Sequence, residues 1–257
     1  MTSAMSEERT AEEGTTGAVV QANEITRVYG EGETAVHALN GCSLGVARGE
    51  LTAVMGPSGS GKSTMMHILA GLDRPTSGNV IIEGSDITKL NDNELTKIRR
   101  EHIGFIFQFF NLLPMLTAEE NIRLPLELAG GKIDSEWLGE VIKRTGLDDR
   151  RTHRPSELSG GQQQRVAIAR ALASKPTVIF ADEPTGNLDS ATSGEILDLL
   201  RDMVADFGQT IVMVTHDARA AAIANRILFL ADGCIVKELK GAEQSEIVAA
   251  MDEVARQ

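Results

Sequence analysis

Aromatic residues, cysteine and long hydrophobic runs are all scarce in this sequence. Aromatic residues make up 4% of the 257 residues, with a single tyrosine and a single tryptophan. No apolar run approaches the ~18 residues that a membrane-spanning helix needs, so we expect no segment that crosses a bilayer. Cys42 and Cys234 lie far apart and match no metal-binding or redox spacing. We therefore predict two reduced, packed thiols and a cytosolic protein.

Positive charge is scarce as well. The 25 Lys and Arg residues stand against 37 Asp and Glu residues, which gives a net charge of -12 and a pI near 4.9. This balance argues against nucleic acid as a partner. Residues 1–17 are rich in Ser, Thr and Glu and have no apolar stretch, so they predict a disordered acidic tail rather than a signal peptide.

Residues 56–64 read GPSGSGKST and fit the phosphate-loop pattern in full. They stand between an apolar strand at 51–55 and a helical pattern at 63–72. Glycines let successive backbone N–H groups converge on a phosphate at the start of a helix. A turn that binds nothing is the alternative, but it has no use for Lys and Ser at these positions. The predicted phosphate-binding residues are Gly56, Pro57, Ser58, Gly59, Ser60, Gly61, Lys62, Ser63 and Thr64.

Two acids end an apolar strand predicted at 178–184, which reads VIFADEP. Asp182 can hold Mg²⁺ through water, as the Ser63 hydroxyl can directly, while Glu183 points elsewhere and can deprotonate the attacking water. The acids could instead cap the next helix, but the apolar strand and the phosphate loop favour catalysis. His216 follows a second apolar strand, and ligands bind beyond such strand ends, so we place its imidazole near the γ-phosphate.

Residues 158–165 read LSGGQQQR and open a helix predicted at 162–174. Ser159 is a suitable N-cap, and Gly160 and Gly161 allow close backbone approach. This pattern indicates a second anion site at a helix N-terminus. A plain capped helix is the alternative, and it would not need paired glycines.

Two single residues leave alternatives open. Gln108 interrupts an apolar β-type run at 103–109, and its amide contacts either a structural partner or a metal-bound water or phosphate. Tyr29 is either an aromatic residue at a strand end or a ring on which adenine stacks.

The segment at 110–125 carries two prolines and several large apolar residues, which are Leu112, Leu113, Met115 and Leu116. This cluster predicts either a surface groove for a partner's helix or core packing beneath a loop, and residue type alone leaves both open.

The remaining pattern alternates strands and helices and predicts an α/β fold. We expect strands at 18–29 and 79–83, a short strand pair at 36–46, and a hairpin at 226–239. Helices are predicted at 91–100, 133–146, 190–203 and 243–255.

Over about residues 18–240 these motifs resemble, in order, the ATP-binding subunit of an ABC transporter. The resemblance implies a P-loop NTPase with a RecA-like core, an antiparallel β subdomain and an inserted α-helical subdomain at about 110–172. An amphipathic helix would then occupy 241–257. The resemblance further implies a role for each motif. These roles are adenine stacking by Tyr29, Walker A at 56–64, the Q-loop at Gln108, the signature at 158–162 with Gln162, Walker B at 178–183, the D-loop at Asp189 and the switch histidine at His216.

The resemblance implies ATP hydrolysis with Mg²⁺ and a head-to-tail homodimer that sandwiches two ATP molecules. The implied catalytic residues are Glu183, His216, Gln108 and Lys62, and the implied metal ligands are Ser63, Gln108 and Asp182. The runs at 104–121 and 153–173 are most similar to the MacB/LolD/FtsE group. That group implies a separate FtsX-type permease that docks near 108–116, with this chain peripheral at the cytoplasmic membrane face.

Three other functions are alternatives for these motifs. A mechanotransmission module would move a permease-like partner without carrying substrate, and this sequence does not separate it from transport. A DNA-associated ATPase of the same superfamily usually carries long coiled coils or zinc modules, which this sequence lacks. A metabolic kinase has no use for the LSGGQ segment.

Overall fold

Two β-sheets organise the computed structural model, which describes residues 17–130 and 133–256. The predicted acidic tail lies outside the described residues except for Gly17. The strands are β1 (Ala18–Tyr29), β2 (Val36–Ala47), β3 (Leu51–Met55), β4 (Ser77–Ile82), β5 (Ser85–Asp86), β6 (Ile103–Ile106), β7 (Val178–Asp182), β8 (Thr210–Val214), β9 (Arg226–Ala231) and β10 (Cys234–Lys240).

Eight α-helices connect these strands within the described ranges. They are α1 (Lys62–Leu69), α2 (Asp92–His102), α3 (Ala118–Ala129), α4 (Ser135–Arg144), α5 (Gly160–Ala173), α6 (Ser190–Phe207), α7 (Ala218–Ala221) and α8 (Gln244–Val254).

The larger sheet has the strand order β10-β9-β3-β8-β7-β6. Strands β9, β3, β8, β7 and β6 are parallel, and β10 pairs antiparallel with β9 at one edge. Every residue of β3 and β8 is buried. Uniform burial is typical of a parallel sheet covered on both faces, and it explains why these strands read as continuous apolar runs.

Alternate residues of the larger sheet feed two hydrophobic cores. On one face, residues such as Ala53, Ile179 and Met213 pack with buried side chains of α3 to α8. On the other face, Val54 and Phe180 pack with α1, α2 and the smaller sheet. Because successive side chains of a strand point to opposite faces, the sheet divides these cores and presents its strand ends between them.

The smaller sheet has the antiparallel order β2-β1-β4-β5. The short strand pair predicted at 36–46 is wrong, since β2 is one continuous strand. Ile25 pairs with Cys42 and Thr26 with Asn40, so Gly41 is bulged out of the ladder at a φ of 75°. A glycine bulge of this kind bends a strand without ending it, which the sequence pattern did not distinguish from a turn.

Element boundaries depart from the predictions at two points that matter. Strand β6 ends at Ile106, so Gln108 lies in a turn after the strand rather than inside it. Helix α6 continues four residues beyond the predicted end, to Phe207, where Gly208 adopts a left-handed conformation. The predicted domain division, with a helical subdomain at about 110–172, stays a prediction.

Across residues 17–130 and 133–256, each helix is too short or too polar to cross a membrane.

Candidate nucleotide site

Residues far apart in sequence meet at the carboxyl ends of three neighbouring strands. Val54 of β3 pairs with Val214 of β8, and Val214 pairs with Asp182 of β7. The phosphate loop follows β3, the His216 turn follows β8, and the acidic pair stands at the end of β7, with Asp182 as its last residue. Sheet register therefore assembles the site at the edge where ligands of parallel sheets bind.

The phosphate loop, residues 56–64, has glycine where no side chain fits. A Cβ on Gly56 would lie 2.0 Å from the carbonyl oxygen of Leu230, and one on Gly61 would lie 2.3 Å from that of Ala38. Both glycines also have a positive φ, 151° and 101°. Helix α1 begins directly after Gly61, so its free N–H groups face the space that the loop encloses.

A cavity of about 430 Å³ lies over this loop. Its lining includes most of the predicted loop, the two acids and the histidine. The described residues lining it are Val36, His37, Ala38, Gly56, Ser58, Gly59, Gly61, Lys62, Ser63, Thr64, Asp182, Glu183, Val214 and His216. The first three belong to β2 and were not predicted, because no motif marks a strand end that reaches the site from the other sheet.

Lys62 is a cation in the lining of the cavity. Its Nζ donates to the carbonyl oxygens of Gly56 at 2.9 Å and Pro57 at 2.7 Å. Burial lowers the pKa of Lys62, and the carboxylates of Glu183 and Asp182 act in the opposite direction. Among the described residues this partly buried ammonium donates only to neutral oxygens, so it is suited to receive a negatively charged phosphate.

Asp182 is the candidate metal ligand. Burial, followed by the neighbouring Glu183 carboxylate, raises the pKa of Asp182, while His67 and Lys62 lower it. A bound divalent cation would compensate two adjacent, partly buried carboxylates. The exposed Ser63 hydroxyl lines the same cavity, so both predicted oxygen donors are present for Mg²⁺.

Glu183 is held by the residues that directly follow β8. His216 contacts Glu183 Oε1 through its ring Nδ1 at 2.7 Å and its backbone N–H at 3.1 Å, and Thr215 Oγ1 lies 3.3 Å from Oε2. Glu183 also has a left-handed backbone, with a φ of 45°. Such strain in a non-glycine residue concentrates at functional sites.

Gln108 lies outside the cavity lining of the described residues. Its Nε2 donates to Asn187 Oδ1 at 3.3 Å, and Asn187 Nδ2 donates back to the Gln108 carbonyl oxygen at 2.9 Å. The sequence left the partner of this amide open, and in the structure that partner is Asn187. Nothing in the sequence marks Asn187, because the pairing depends on the turn that follows β7.

Tyr29 also lies apart from the cavity within the part of the chain that the structure describes. Its hydroxyl donates to Asp73 at 2.8 Å, and the Arg27 guanidinium stacks on its ring at 4.4 Å. The remaining part of the side chain is exposed at the end of β1. The ring thus has a structural partner, and its adenine role remains a prediction.

The signature, residues 158–162, caps helix α5. Ser159 accepts from the Gln162 N–H at 3.3 Å, and Gln162 Oε1 accepts from the Ser159 N–H at 2.9 Å. A Cβ on Gly161 would lie 2.3 Å from a Thr192 methyl carbon, so this glycine serves packing. The described lining of the Lys62 cavity includes no residue of the signature. The signature therefore lies apart from the Lys62 cavity within the described residues, and its role as a second anion site stays a prediction.

Asp189 caps the next helix, α6. Its carboxylate accepts from the Thr192 hydroxyl at 2.6 Å and from the Thr192 and Ala191 N–H groups, each at 3.0 Å. These bonds, led by the Thr192 hydroxyl, lower the pKa of Asp189. The predicted D-loop acid is thus ionised and committed to holding its own turn.

The loop that the sequence predicts to dock a permease, residues 108–116 and here called the docking loop, is anchored from two helices. Arg170 of α5 donates to the carbonyl oxygens of Asn111 at 2.6 Å and Phe110 at 2.8 Å, and burial lowers its pKa. Asn121 of α3 is fully buried and accepts from the Leu113 N–H at 2.8 Å. Neither residue was predicted, because both act through backbone atoms that no motif identifies.

The predicted apolar cluster divides at this loop. Leu112 packs against the core, whereas Leu113 and Met115 are exposed together with Phe109. Phe109 is 74% exposed and Met115 is 69% exposed. Core packing therefore holds for Leu112, while the groove for a partner's helix stays a prediction for the exposed residues.

The residues present fit a nucleoside triphosphate with Mg²⁺. Phosphate can bind to the glycine-rich loop, the Lys62 ammonium and the start of α1. A hard cation can take oxygen ligands from Asp182 and Ser63. The Glu183–His216 pair borders the same cavity.

Comparison with known proteins decides the family. The model of the family described as ABC transporter matches residues 39–186, which is more than half of the chain. The chain belongs to the ABC transporter family. This confirms the predicted family and fold, and with them the enzyme class, an ATP hydrolase of the ABC type.

Individual relatives agree with this assignment. The ABC transporter ATP-binding protein MJ0796 of Methanocaldococcus jannaschii is 47% identical over 229 residues, 86% of this chain and 97% of the relative. The lipoprotein-releasing system ATP-binding protein LolD of Geobacter metallireducens is 48% identical over 226 residues, 86% of this chain and 99% of LolD. The macrolide export ATP-binding/permease protein MacB of Syntrophobacter fumaroxidans is 47% identical over 224 residues and 86% of this chain. The chain spans only 31% of that MacB.

A solved structure agrees as well. The ATP-binding cassette MJ0796, dimeric in a post-hydrolysis state and bound to ADP and Pi, matches with a TM-score of 0.78 at 46% identity. The match covers 87% of this ABC chain and 99% of the solved chain.

Proposed function

We propose that this ABC chain is the ATPase subunit that powers a separate permease of the FtsX/MacB type, in export or lipoprotein release, through ATP-driven closure of a homodimer. One observation carries this proposal. The chain holds two sites suited to anions, the Lys62 cavity and the Ser159 helix start, and within the described residues they do not share a cavity.

Each residue of the cavity has a role in the proposed reaction. Lys62 and the phosphate loop bind the β- and γ-phosphates of ATP. Ser63, Asp182 and Gln108 would hold Mg²⁺, which neutralises phosphate charge when bound. Glu183 takes a proton from the attacking water as the water oxygen bonds to the γ-phosphorus and the bond to the bridging oxygen breaks. His216 holds the Glu183 carboxylate through the 2.7 Å contact.

The separation of the two anion sites supports a head-to-tail dimer. The N–H groups at the start of α5 are suited to bind an anion, but the phosphate site of the same chain lies elsewhere. A second copy of the chain would bring its γ-phosphate to this helix start. Two phosphates then bridge two chains, and hydrolysis removes the charge that holds them together.

A mixing experiment tests this arrangement. Lys62→Ala removes the phosphate cation and Ser159→Arg blocks the signature, so each variant alone should lose ATPase activity. Mixed together, they should recover part of the wild-type rate, because a heterodimer has one site with both Lys62 and Ser159 intact. If each chain used its own signature, mixing would restore nothing.

The docking loop is the proposed contact with the permease, which would place this chain at the cytoplasmic membrane face. Arg170 and Asn121 fix the loop backbone, so Phe109 and Met115 are held in place although they are exposed. An apolar surface on an anchored loop favours a helix of a partner. The loop begins at Gln108, so movement at the nucleotide can reach the permease.

The docking assignment can be tested with a candidate FtsX-type permease in nanodiscs. Met115→Glu should remove the stimulation of ATPase activity by the permease and leave the rate of the chain alone unchanged. Val248→Glu, at another exposed apolar residue on α8, is the matched control and should remain stimulated. Full stimulation of the Met115 variant would refute docking at this loop.

A further inference from the structure

Gln108 and Asn187 contact each other through two hydrogen bonds that run in opposite directions. Asn187 Nδ2 donates to the Gln108 backbone oxygen at 2.9 Å, and Gln108 Nε2 donates to Asn187 Oδ1 at 3.3 Å. Asn187 belongs to no motif of the sequence analysis. The contact joins the turns that follow two neighbouring strands, β6 and β7.

The two bonds determine which way each amide faces. A backbone carbonyl can only accept, so Asn187 must present its NH₂ group to the oxygen of Gln108. The carbonyl Oδ1 of Asn187 then faces the Gln108 side chain. Because this oxygen can only accept, Gln108 must donate its Nε2–H to it. Because Nε2 is engaged with Asn187, Oε1 is the Gln108 amide atom left to bind a further ligand.

The turn that carries Asn187 is hydrogen-bonded to the Glu183 backbone and packs against the Gln108 side chain. The Gly186 N–H donates to the Glu183 carbonyl oxygen at 3.0 Å, which closes the turn. A Cβ on Gly186 would lie 2.8 Å from Gln108 Nε2. The absence of a side chain at 186 is therefore what allows the Gln108 amide to lie against this turn.

We propose that Asn187 is a positioning residue that orients the Gln108 amide with its oxygen toward Mg²⁺. The inference rests on the proposed function, in which Gln108 is a metal ligand. Mg²⁺ accepts oxygen ligands and has no use for an amide NH₂ group, so an unrestrained amide presents the wrong atom part of the time. Asn187 removes that wrong orientation.

The exposure of the pair makes the role testable. Both Gly186 and Asn187 are exposed, and surface hydrogen bonds of this kind contribute little to folding. Asn187→Ala should therefore fold normally while releasing the Gln108 amide. Gly186→Ala disturbs the same contact from the other side, by placing a methyl group against Nε2.

The experiment measures Mg²⁺ binding without turnover. In a Glu183→Gln background, ATP-dependent dimer formation is followed by light scattering while MgCl₂ is titrated. Asn187→Ala and Gly186→Ala should each raise the half-saturating MgCl₂ concentration about threefold to tenfold, the size of effect expected for one lost hydrogen bond. Gln108→Ala should raise it at least as much, and Asn187→Ala should then add nothing further.

Asn93→Ala is the matched control, since it removes an exposed asparagine side chain on α2, far along the chain from the turn. It should leave the MgCl₂ requirement unchanged. An unchanged requirement in Asn187→Ala, beside a raised one in Gln108→Ala, overturns the inference and leaves the proposed function intact. Additive effects in the double variant, or no effect of Gln108→Ala, overturn it too. Failure of the Glu183→Gln background to dimerise with ATP contradicts the proposed function itself.

Discussion

The ring Nδ1 of His216 lies 2.7 Å from Oε1 of Glu183, and the His216 backbone N–H reaches the same oxygen at 3.1 Å. His216 thus contacts one carboxylate oxygen through two of its own nitrogen atoms. Nδ1 is committed to Glu183, so Nε2 is the ring nitrogen available to a ligand. Glu183 is 18% exposed and His216 72% exposed, which puts the histidine on the open side of the pair.

The phosphate loop gives a prediction about stability. Gly56→Ala and Gly59→Ala both place a side chain at a positive φ, which costs about 1–2 kcal/mol. Gly59 has open space around the added Cβ, whereas the Cβ at 56 would meet Leu230. Gly56→Ala should therefore lose about 1–3 kcal/mol more than Gly59→Ala in urea unfolding. Equal losses at the two positions would show that the Leu230 contact does not constrain the loop.

Asp134 predicts a pH-dependent contribution to stability. It caps α4 by accepting from the Trp137 N–H at 3.0 Å and pairs with Lys175 at 2.9 Å. The cap bond, then the Lys175 bond, lowers the pKa of Asp134. A carboxyl whose folded pKa is depressed stabilises the protein above its unfolded pKa, about 3.9, and loses that effect as the pH falls through the folded pKa.

Thermal melts of Asp134→Asn, followed by Trp137 fluorescence, measure this contribution. Wild type should melt higher than the variant at pH 7, and the difference should shrink as the pH falls below about 4. Asp252→Asn, at an exposed residue of α8, controls for the loss of one negative charge. A difference that stays constant from pH 7 to pH 3 would contradict the ionic role of Asp134.

The two cysteines should differ in reactivity. Burial raises the pKa of Cys42 to about 11, and its Sγ–H donates to the Gly233 carbonyl oxygen at 2.7 Å. The thiolate is the reactive form, so iodoacetamide at pH 8 should label the half-buried Cys234 and spare Cys42. Mass spectrometry of native and urea-treated protein would show this, with both sites labelled in urea. Rapid native labelling of Cys42 would contradict its burial.

The same pKa has a consequence for stability. Because folding raises the pKa of Cys42, its stabilising effect is complete below the unfolded pKa, near 8.5, and declines as the pH rises toward about 11.

The sequence predicted the parts of the site that follow local patterns. The phosphate loop, the Asp182–Glu183 pair and His216 each follow an apolar strand, and the strand order brings them to one cavity. The family, fold and enzyme class could be predicted because these motifs follow one another in a fixed order, and the family comparison confirmed them. The individual roles of the site residues stay predictions.

Contacts between elements could not be predicted from one sequence. Strand β2 contributes Val36, His37 and Ala38 to the cavity only because the smaller sheet packs beside α1. Asn187 and Arg170 act on carbonyl oxygens, which every residue has, so no residue type at the receiving end reveals them. The bulge at Gly41 looks like a turn until its pairing with β1 is known.

The measurement that tests the account most directly compares wild type with Glu183→Gln, in single-turnover ATP hydrolysis and in size-exclusion chromatography with ATP. Removing a general base should slow hydrolysis by about a hundredfold or more. The Gln variant should still bind ATP and should elute as a dimer, since the phosphate loop and the signature are untouched. Hydrolysis by the variant at close to the wild-type rate would contradict the account, because Glu183 would then not be the residue that activates water.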